Sequence, residues 1–136
     1  MESTTIIKDL LSLFFPEEIT LHYEIKGLIE KKGYIRIIFE EFPELVPPMM
    51  QFSKEIVLDG FCNPLELQSF PLKGKPVYLK LYRRRWKYKG CDKHYSNTYN
   101  LNPHGVKATK DFACFLKAAF GQTPDQYNSD IGSLVR

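Results

Sequence analysis

The sequence predicts an α+β fold in which two β-hairpins build an antiparallel sheet and a helix from each end of the chain packs on it. Runs of β-branched and aromatic residues over 20–29 and 34–40 flank a short segment that contains Gly33, which is typical of a hairpin. A second strand pair is predicted where an alternating segment reverses near 90–92 and returns over 94–101. The helical spacing of apolar residues near both ends of the chain completes the α+β pattern.

The two helices are predicted over 3–15 and 109–120, where Pro16 and Gly121 end them. Apolar residues of the first helix recur at the i, i+3 and i+4 spacing: Ile6, Ile7, Leu10, Leu11 and Phe14. The second helix has the same spacing in Phe112, Phe115, Leu116, Ala119 and Phe120. Because the first helix is short and carries little positive charge, we expect it to dock on the sheet rather than on a membrane surface.

A chain of 136 residues suits one domain with a modest core. We expect residues 1–121 to form a single α+β nucleic-acid-binding domain and residues 122–136 to form a short helical or flexible tail. The three prolines of 42–54 predict an irregular connection. The start lacks a signal peptide, no apolar stretch is long enough to span a bilayer, and the three cysteines are scattered. These features predict a cytoplasmic protein with reduced thiols and no membrane partner.

Charge is divided unevenly along the chain. Residues 1–66 hold 6 Lys/Arg and 12 Asp/Glu, a net charge of −6, whereas residues 67–136 hold 13 Lys/Arg and 4 Asp/Glu, a net charge of +9. Such an imbalance is typical of a segment with an anionic partner. The alternative is that the two halves neutralise one another across an internal interface.

The basic segment 83–89 follows an alternating strand in which Val77, Leu79 and Leu81 share one face. Because buried, unpaired cations are costly, we expect this strand to leave the core and project past the edge of the domain as a basic, aromatic ribbon. Guanidinium groups pair with phosphates or guanine edges, and aromatic rings stack on bases. The predicted DNA-binding residues are Arg83, Arg84, Arg85, Trp86, Lys87, Tyr88 and Lys89 on the ribbon, with Lys107 and Lys110 near the start of the second helix.

Two structural alternatives stay open for this ribbon. Its arginines could pair with the acidic N-terminal half on a solvated strand end, and Trp86 could cap the sheet with Arg84 stacked on it. For the hairpin itself, a two-residue turn at 91–92 would set Tyr88 opposite Tyr95 in the returning strand.

No catalytic, metal or cofactor site is predicted. Cys91, His94 and His104 offer three candidate zinc ligands, but a closed structural site needs four at compact spacing. The sequence also lacks nucleophile motifs and phosphate-binding glycine loops. An acidic cluster beside the proline-rich connection is interpreted as solvated charge: Glu40, Glu41 and Glu44. We therefore expect no enzyme activity in this chain and place any catalysis in a partner.

Several short motifs between Gly60 and Lys117 have the order and spacing of a known family. They are Gly60-Phe61, Phe70-Pro71-Leu72-Lys73-Gly74-Lys75, Val77-Tyr78-Leu79, Arg83-Arg84-Arg85-Trp86, Asn100-Leu101, Gly105-Val106-Lys107-Ala108-Thr109-Lys110 and Phe112-Ala113-Cys114-Phe115-Leu116-Lys117. In these motifs the chain resembles the N-terminal region of ISAon-type bacterial insertion-sequence transposases and, more distantly, the heads of ISL-type transposases. The ISL-type heads carry a cysteine-based zinc module at this position, and most of its cysteines are missing here.

The resemblance implies a DNA-binding accessory protein of a transposable element, made separately from the catalytic transposase. Its expected partners are double-stranded DNA, such as terminal repeats, and that transposase; self-association into a homo-oligomer is left open. One alternative is an interaction module that recruits the transposase through the loop with Met49, Met50 and Phe52 and through the apolar tail. Another is a sheet that binds single-stranded nucleic acid or RNA through aromatic rings: Tyr78, Tyr82, Trp86 and Tyr88.

Overall fold

The computed structural model describes residues 2–53 and 55–120, and it confirms the α+β class. The helices and strands within these ranges are α1 (Glu2–Phe14), α2 (Glu17–Thr20), β1 (Tyr23–Glu30), β2 (Ile35–Glu41), β3 (Ile56–Phe61), β4 (Leu65–Leu72), β5 (Lys75–Tyr82), β6 (Arg84–Tyr88), β7 (His94–Tyr95) and α3 (Lys110–Phe120). A single 3-10 turn, Pro48–Met50, lies in the described part of the proline-rich connection. The predicted tail, 122–136, lies outside the described residues.

The strands form two sheets rather than one. β1, β2, β5 and β4 lie side by side in that order in a four-stranded sheet, and β3, β6 and β7 form a three-stranded sheet. The hairpin of β1 and β2 is confirmed, with Tyr23 opposite Glu41. β2 and β5 run parallel, with Ile35 opposite Val77, because the chain passes from one to the other through the long segment that holds β3 and β4.

A third hairpin, beyond the two predicted ones, joins β4 to β5. Lys73 and Gly74 form its turn, and both have positive φ angles, 53° and 71°. A proline within a segment usually argues against a strand, but Pro71 lies where the register between β4 and β5 shifts, between Ser69 and Leu72. A proline fits such an irregularity because the local ladder there does not need its missing N–H. β5 is therefore a central strand with a neighbour on each side.

The main core lies on one face of the four-stranded sheet. Alternate residues of the two central strands are buried there: Ile35, Ile37 and Phe39 on β2, and Val77, Leu79 and Leu81 on β5. Phe15, Ile19 and Leu101 pack against this face. α1 adds little beyond Leu11, because most of its other large apolar side chains are exposed.

α3 packs on the four-stranded sheet through Phe112 and Leu116, as the sequence predicted. The segment before it pairs with the outer edge of β4: the Gln68 N–H donates to the Lys107 carbonyl, and the Thr109 N–H donates to the Gln68 carbonyl. This edge of the sheet is therefore covered. β1, at the other edge, pairs only with β2 among the described residues.

Candidate nucleic-acid interface

β6, which carries most of the predicted DNA-binding residues, is the central strand of the three-stranded sheet, with β3 on one side and β7 on the other. The expectation that this strand projects past the edge of the domain is wrong, because both of its edges are paired. The expected register is also wrong, since Trp86 rather than Tyr88 lies opposite Tyr95. The connection between the paired Lys87 and His94 holds six residues instead of two.

Arg84 is held by the acidic end of β2. Its Nε donates a 2.7 Å hydrogen bond to the Glu41 carbonyl, and its Nη2 lies 3.7 Å from Oε1 of Glu40. The guanidinium carbon lies 4.9 Å from the ring centre of Phe61, so Arg84 stacks on that ring rather than on Trp86. Because the Arg84 side chain is only 17% exposed, little of it is left for an external anion.

Arg83 and Arg85 also bind groups of the protein itself. Nη1 of Arg83 donates a 2.8 Å hydrogen bond to the Asn97 carbonyl. Nε of Arg85 donates a 2.8 Å hydrogen bond to the Asp59 carbonyl, and its Nη2 lies 3.8 Å from the Asp59 carboxylate. The alternative in which the arginines pair with the acidic half of the chain is thus confirmed for Arg84 and Arg85, whereas Arg83 binds a neutral carbonyl.

Trp86 is buried, with 5% of its surface exposed, so the expectation of a ring open for stacking on bases is wrong. It shares one face of β6 with Arg84 and Tyr88. The cations that flank it in the sequence suggested exposure. However, neighbouring residues of a strand point to opposite faces, which places Arg85 and Lys87 on the other side of the sheet.

Glu41 joins the two sheets through a buried carboxylate that the sequence analysis missed. The side chain is fully buried at the end of β2, where it accepts hydrogen bonds from the Arg84 backbone N–H, from Nδ2 of Asn97 and from the Tyr99 hydroxyl. Burial, together with the Glu41 carboxylate, raises the pKa of both Tyr99 and Tyr23 above the usual value. The interpretation of Glu41 as solvated charge is therefore wrong. Glu41 lies two residues after the buried Phe39, so the alternating burial of β2 was the sequence signal that its side chain is buried.

Part of the charge imbalance between the two halves of the chain is balanced by ion pairs within the fold. Of the seven Lys/Arg–carboxylate pairs among the described residues, five join a cation after residue 66 to a carboxylate before it. They link Lys73 and Lys75 to Glu30, Arg84 to Glu40, Arg85 to Asp59, and Lys110 to Glu18. Internal neutralisation is therefore confirmed for these residues, and the imbalance alone does not indicate an anionic partner.

Lys87, Tyr88 and Lys89 reach the surface where β6 leads into its connection with β7. Lys89 is exposed, and its side chain forms no ion pair or hydrogen bond with the described residues. The Tyr88 ring packs against Tyr95, with ring centres 5.6 Å apart. Nζ of Lys93, which the sequence analysis did not select, lies 5.3 Å from the centre of the Tyr95 ring. We call these five residues the cationic hairpin: Lys87, Tyr88, Lys89, Lys93 and Tyr95.

Asp92 lies within the connection between β6 and β7, and a second carboxylate, that of Asp59 on β3, also lies close to the cationic hairpin. Oδ2 of Asp59 is hydrogen-bonded to Nε2 of His94, and this contact fastens β7 to β3. The hydrogen bond to His94, followed by the charges of Lys87 and Arg85, holds the Asp59 pKa below its usual range. Asp59 therefore stays ionised and offsets part of the positive charge of Lys87 and Arg85.

Lys107 and Lys110 lie beside the four-stranded sheet, not on the hairpin. Lys107 is exposed in the segment that pairs with β4. Lys110 begins α3, and its Nζ lies 4.0 Å from Oε1 of Glu18. The nine predicted residues therefore fall into three sets. The three arginines and Trp86 make contacts within the protein. Lys87, Tyr88 and Lys89 lie at the surface of the hairpin, and Lys107 and Lys110 lie beside the four-stranded sheet.

The three candidate zinc ligands are not brought together. Cys91 and His104 are exposed, and His94 is engaged with Asp59. Within 2–53 and 55–120, no group of three or more His, Cys, Asp or Glu side chains is arranged to hold a metal ion. In the same part of the chain, no helix combines the length and the apolar composition needed to cross a membrane.

Comparison of the chain with protein-family models, with curated proteins and with solved structures found no match.

Proposed function

We propose that the chain is a DNA-binding accessory protein of a transposable element, with catalysis supplied by a separately encoded transposase. The observation that supports DNA binding is the cationic hairpin, where Lys87, Lys89 and Lys93 form no ion pair with the described residues and Lys93 lies over the Tyr95 ring that packs against Tyr88. The transposon context comes from the motif resemblance. Such a protein would act in the cytoplasm, where bacterial DNA lies.

The two neighbouring sets of cations have different roles in this proposal. Arg83, Arg84 and Arg85 fix β6 to the segment after β7, to β2 and to β3. The lysines bind phosphates as point charges. Phosphate contacts of this kind position a protein on DNA, and sequence selectivity would require groups that reach base edges.

The first experiment replaces Lys87, Lys89 and Lys93 by Gln in the full chain and measures binding to duplex DNA by mobility shift at several salt concentrations. Each lost phosphate contact lowers the slope of log affinity against log salt by about 0.9. We expect the triple variant to bind at least ~10-fold more weakly at moderate salt, with the slope reduced by between two and three. Unchanged binding would remove the hairpin from the interface.

A matched control replaces Lys31, Lys32 and Lys117 by Gln. These lysines are also exposed and form no ion pair with the described residues, but they lie on the β1–β2 turn and on α3. The control also removes three positive charges. An equal loss of affinity in both variants would show that DNA binding depends on net charge alone, and it would overturn the proposed site. Lysines are chosen because replacing Arg84 would also remove contacts that hold the fold together.

The choice between double and single strands is tested by competition with the natural chain. Because Trp86 is buried, the single-strand alternative keeps three of its four rings: Tyr78, Tyr82 and Tyr88. Duplex DNA should compete more strongly than a single strand of the same sequence. The reverse order would favour the single-strand alternative.

A second candidate function is recruitment of the transposase by protein contact. It is favoured by the loop after the 3-10 turn, where Phe52 is 98% and Met49 70% exposed around the fully buried Met50. Exposed apolar side chains of this size mark interaction sites. The test is co-purification of the two proteins without DNA, which the double change Met49→Gln and Phe52→Gln should abolish while DNA binding persists.

A further inference from the structure

α1 carries an apolar surface that the rest of the described fold leaves uncovered. Five of its six large apolar side chains are at least half exposed: Ile6 65%, Ile7 56%, Leu10 51%, Leu13 80% and Phe14 50%. The expectation that this helix docks on the sheet is met at Leu11, which packs against the core beside Phe15. Among the described residues, the remaining large apolar side chains of the helix are not packed against this core.

The geometry of the helix explains how it can be both docked and exposed. At about 100° per residue, Leu11 and Phe15 point toward the sheet, whereas Ile6, Leu10 and Leu13 are centred roughly 150° away from that direction. The apolar arc is therefore much wider than the strip that one sheet covers. An arc of this width is typical of a helix that packs against two neighbours.

The uncovered surface continues from α1 onto β4 and α3. Leu13 and Phe14 line the same cleft as Phe70, whose ring centre lies 5.4 Å from that of Phe115. The rings of Phe115 and Phe120 are 6.1 Å apart, and both are about half exposed. We call these eight residues the apolar face: Ile6, Ile7, Leu10, Leu13, Phe14, Phe70, Phe115 and Phe120.

The apolar face has the size of a protein interface. Its eight side chains are on average about half exposed, which at about 150 Å² for a large apolar side chain gives roughly 600 Å². A typical interface buries about 800 Å² per partner, of which about 60% is apolar. One copy of the chain therefore supplies the apolar area that a stable dimer needs from each subunit, in a patch larger than most monomers expose.

We propose that the apolar face binds a second copy of the chain across a two-fold axis, with α1 of one copy antiparallel to α1 of the other. Ile6, Leu10 and Leu13 have the four- and three-residue spacing along which helices interlock. No member of the face is charged, so two identical faces meet without repulsion. α1 holds one lysine and two acidic residues, Glu2 and Asp9, which disfavours an anionic membrane as the occupant.

The test measures the mass of the full-length chain by light scattering after gel filtration across the micromolar range. The interface variant carries Leu10→Glu and Leu13→Glu. Its matched control carries Leu21→Glu and Leu28→Glu, two positions of similar exposure outside the apolar face, at 60% and 66%. We expect dimers for the natural chain and the control, and a monomer for the interface variant with an unchanged circular dichroism spectrum.

Four results would overturn the dimer. One is a natural chain that stays monomeric at high micromolar concentration, and another is an interface variant that remains dimeric. A variant that loses stability to urea without a change in mass would show that the face is covered within the chain, with residues 122–136 as the candidate segment. Co-sedimentation of the natural chain, and not the variant, with anionic phospholipid vesicles would assign the face to a membrane. None of these outcomes depends on the cationic hairpin.

Discussion

We expect the substitution Glu41→Gln to destabilise the protein strongly, although it changes a single atom. Oε1 of Glu41 accepts the Arg84 backbone N–H at 2.8 Å, and Oε2 accepts Nδ2 of Asn97 at 3.0 Å together with the Tyr99 hydroxyl. A Gln amide keeps one acceptor oxygen and turns the other position into a donor. That donor faces groups that themselves need an acceptor, in a site with no access to solvent.

The magnitude follows from the number and kind of hydrogen bonds. A hydrogen bond to a charged group contributes about 1.5–3 kcal/mol, and a neutral one about 1 kcal/mol. Three charge-assisted bonds are replaced by one or two neutral ones, and the loss is partly offset because a charge no longer has to be buried, so the free energy of unfolding should fall by about 2–4 kcal/mol. This is a large fraction of the 5–15 kcal/mol that is typical of a small domain.

Urea unfolding followed by the fluorescence of Trp86, the single tryptophan, measures this loss. With a slope of about 2 kcal/mol per molar urea, the midpoint should move down by about 1–2 M. The matched control is Glu44→Gln, because this exposed side chain forms no hydrogen bond or ion pair with the described residues; its change should stay within about 0.5 kcal/mol. A midpoint shift below about 0.3 M for Glu41→Gln would refute the role given to the buried carboxylate.

Two further predictions concern pH. Because the folded state raises the pKa of Tyr99 and Tyr23, their contribution to stability is complete below the unfolded pKa of about 10 and is lost as the pH rises toward the folded values. Tyr99→Phe should therefore flatten the alkaline fall of the urea midpoint, and an equally steep fall would contradict this. Asp59 has a lowered pKa, so its contribution is present above the unfolded pKa of about 4 and is lost as the pH falls through the folded value. In His94→Ala, NMR titration should find the Asp59 pKa moved back up; an unmoved pKa would contradict the part given to the His94 hydrogen bond.

The central strands were predictable because their burial follows a period of two. Ile35, Ile37 and Phe39 are buried as the alternation indicates, and the strand continues in the same period to Glu41. Glu41 was nevertheless interpreted as solvated, because a glutamate next to a proline-rich loop is usually exposed.

Pairing of the arginines with the acidic half was one of the two alternatives, but the particular partners could not be predicted, because they are distant in sequence and several are main-chain carbonyls. Arg84 meets the Glu41 carbonyl across 43 positions of the chain, and Arg85 meets the Asp59 carbonyl across 26. A carbonyl acceptor is present at every residue, so side-chain identities do not reveal which one is used. Composition thus indicated a cationic segment correctly but did not separate its structural arginines from its surface lysines.

The parallel pairing of β2 with β5 has a consequence for how the chain folds. Each of the hairpins β1–β2 and β4–β5 closes over a few residues, whereas the pair Ile35 and Val77 closes a loop of 42 positions. The entropy lost in closing that loop is not offset until the contacts across it form, so we expect the joining of the two hairpins to be a slow step of assembly. Until it happens, β5 has one edge unpaired and its apolar residues partly uncovered, and in this interval the chain is most prone to pair with another molecule.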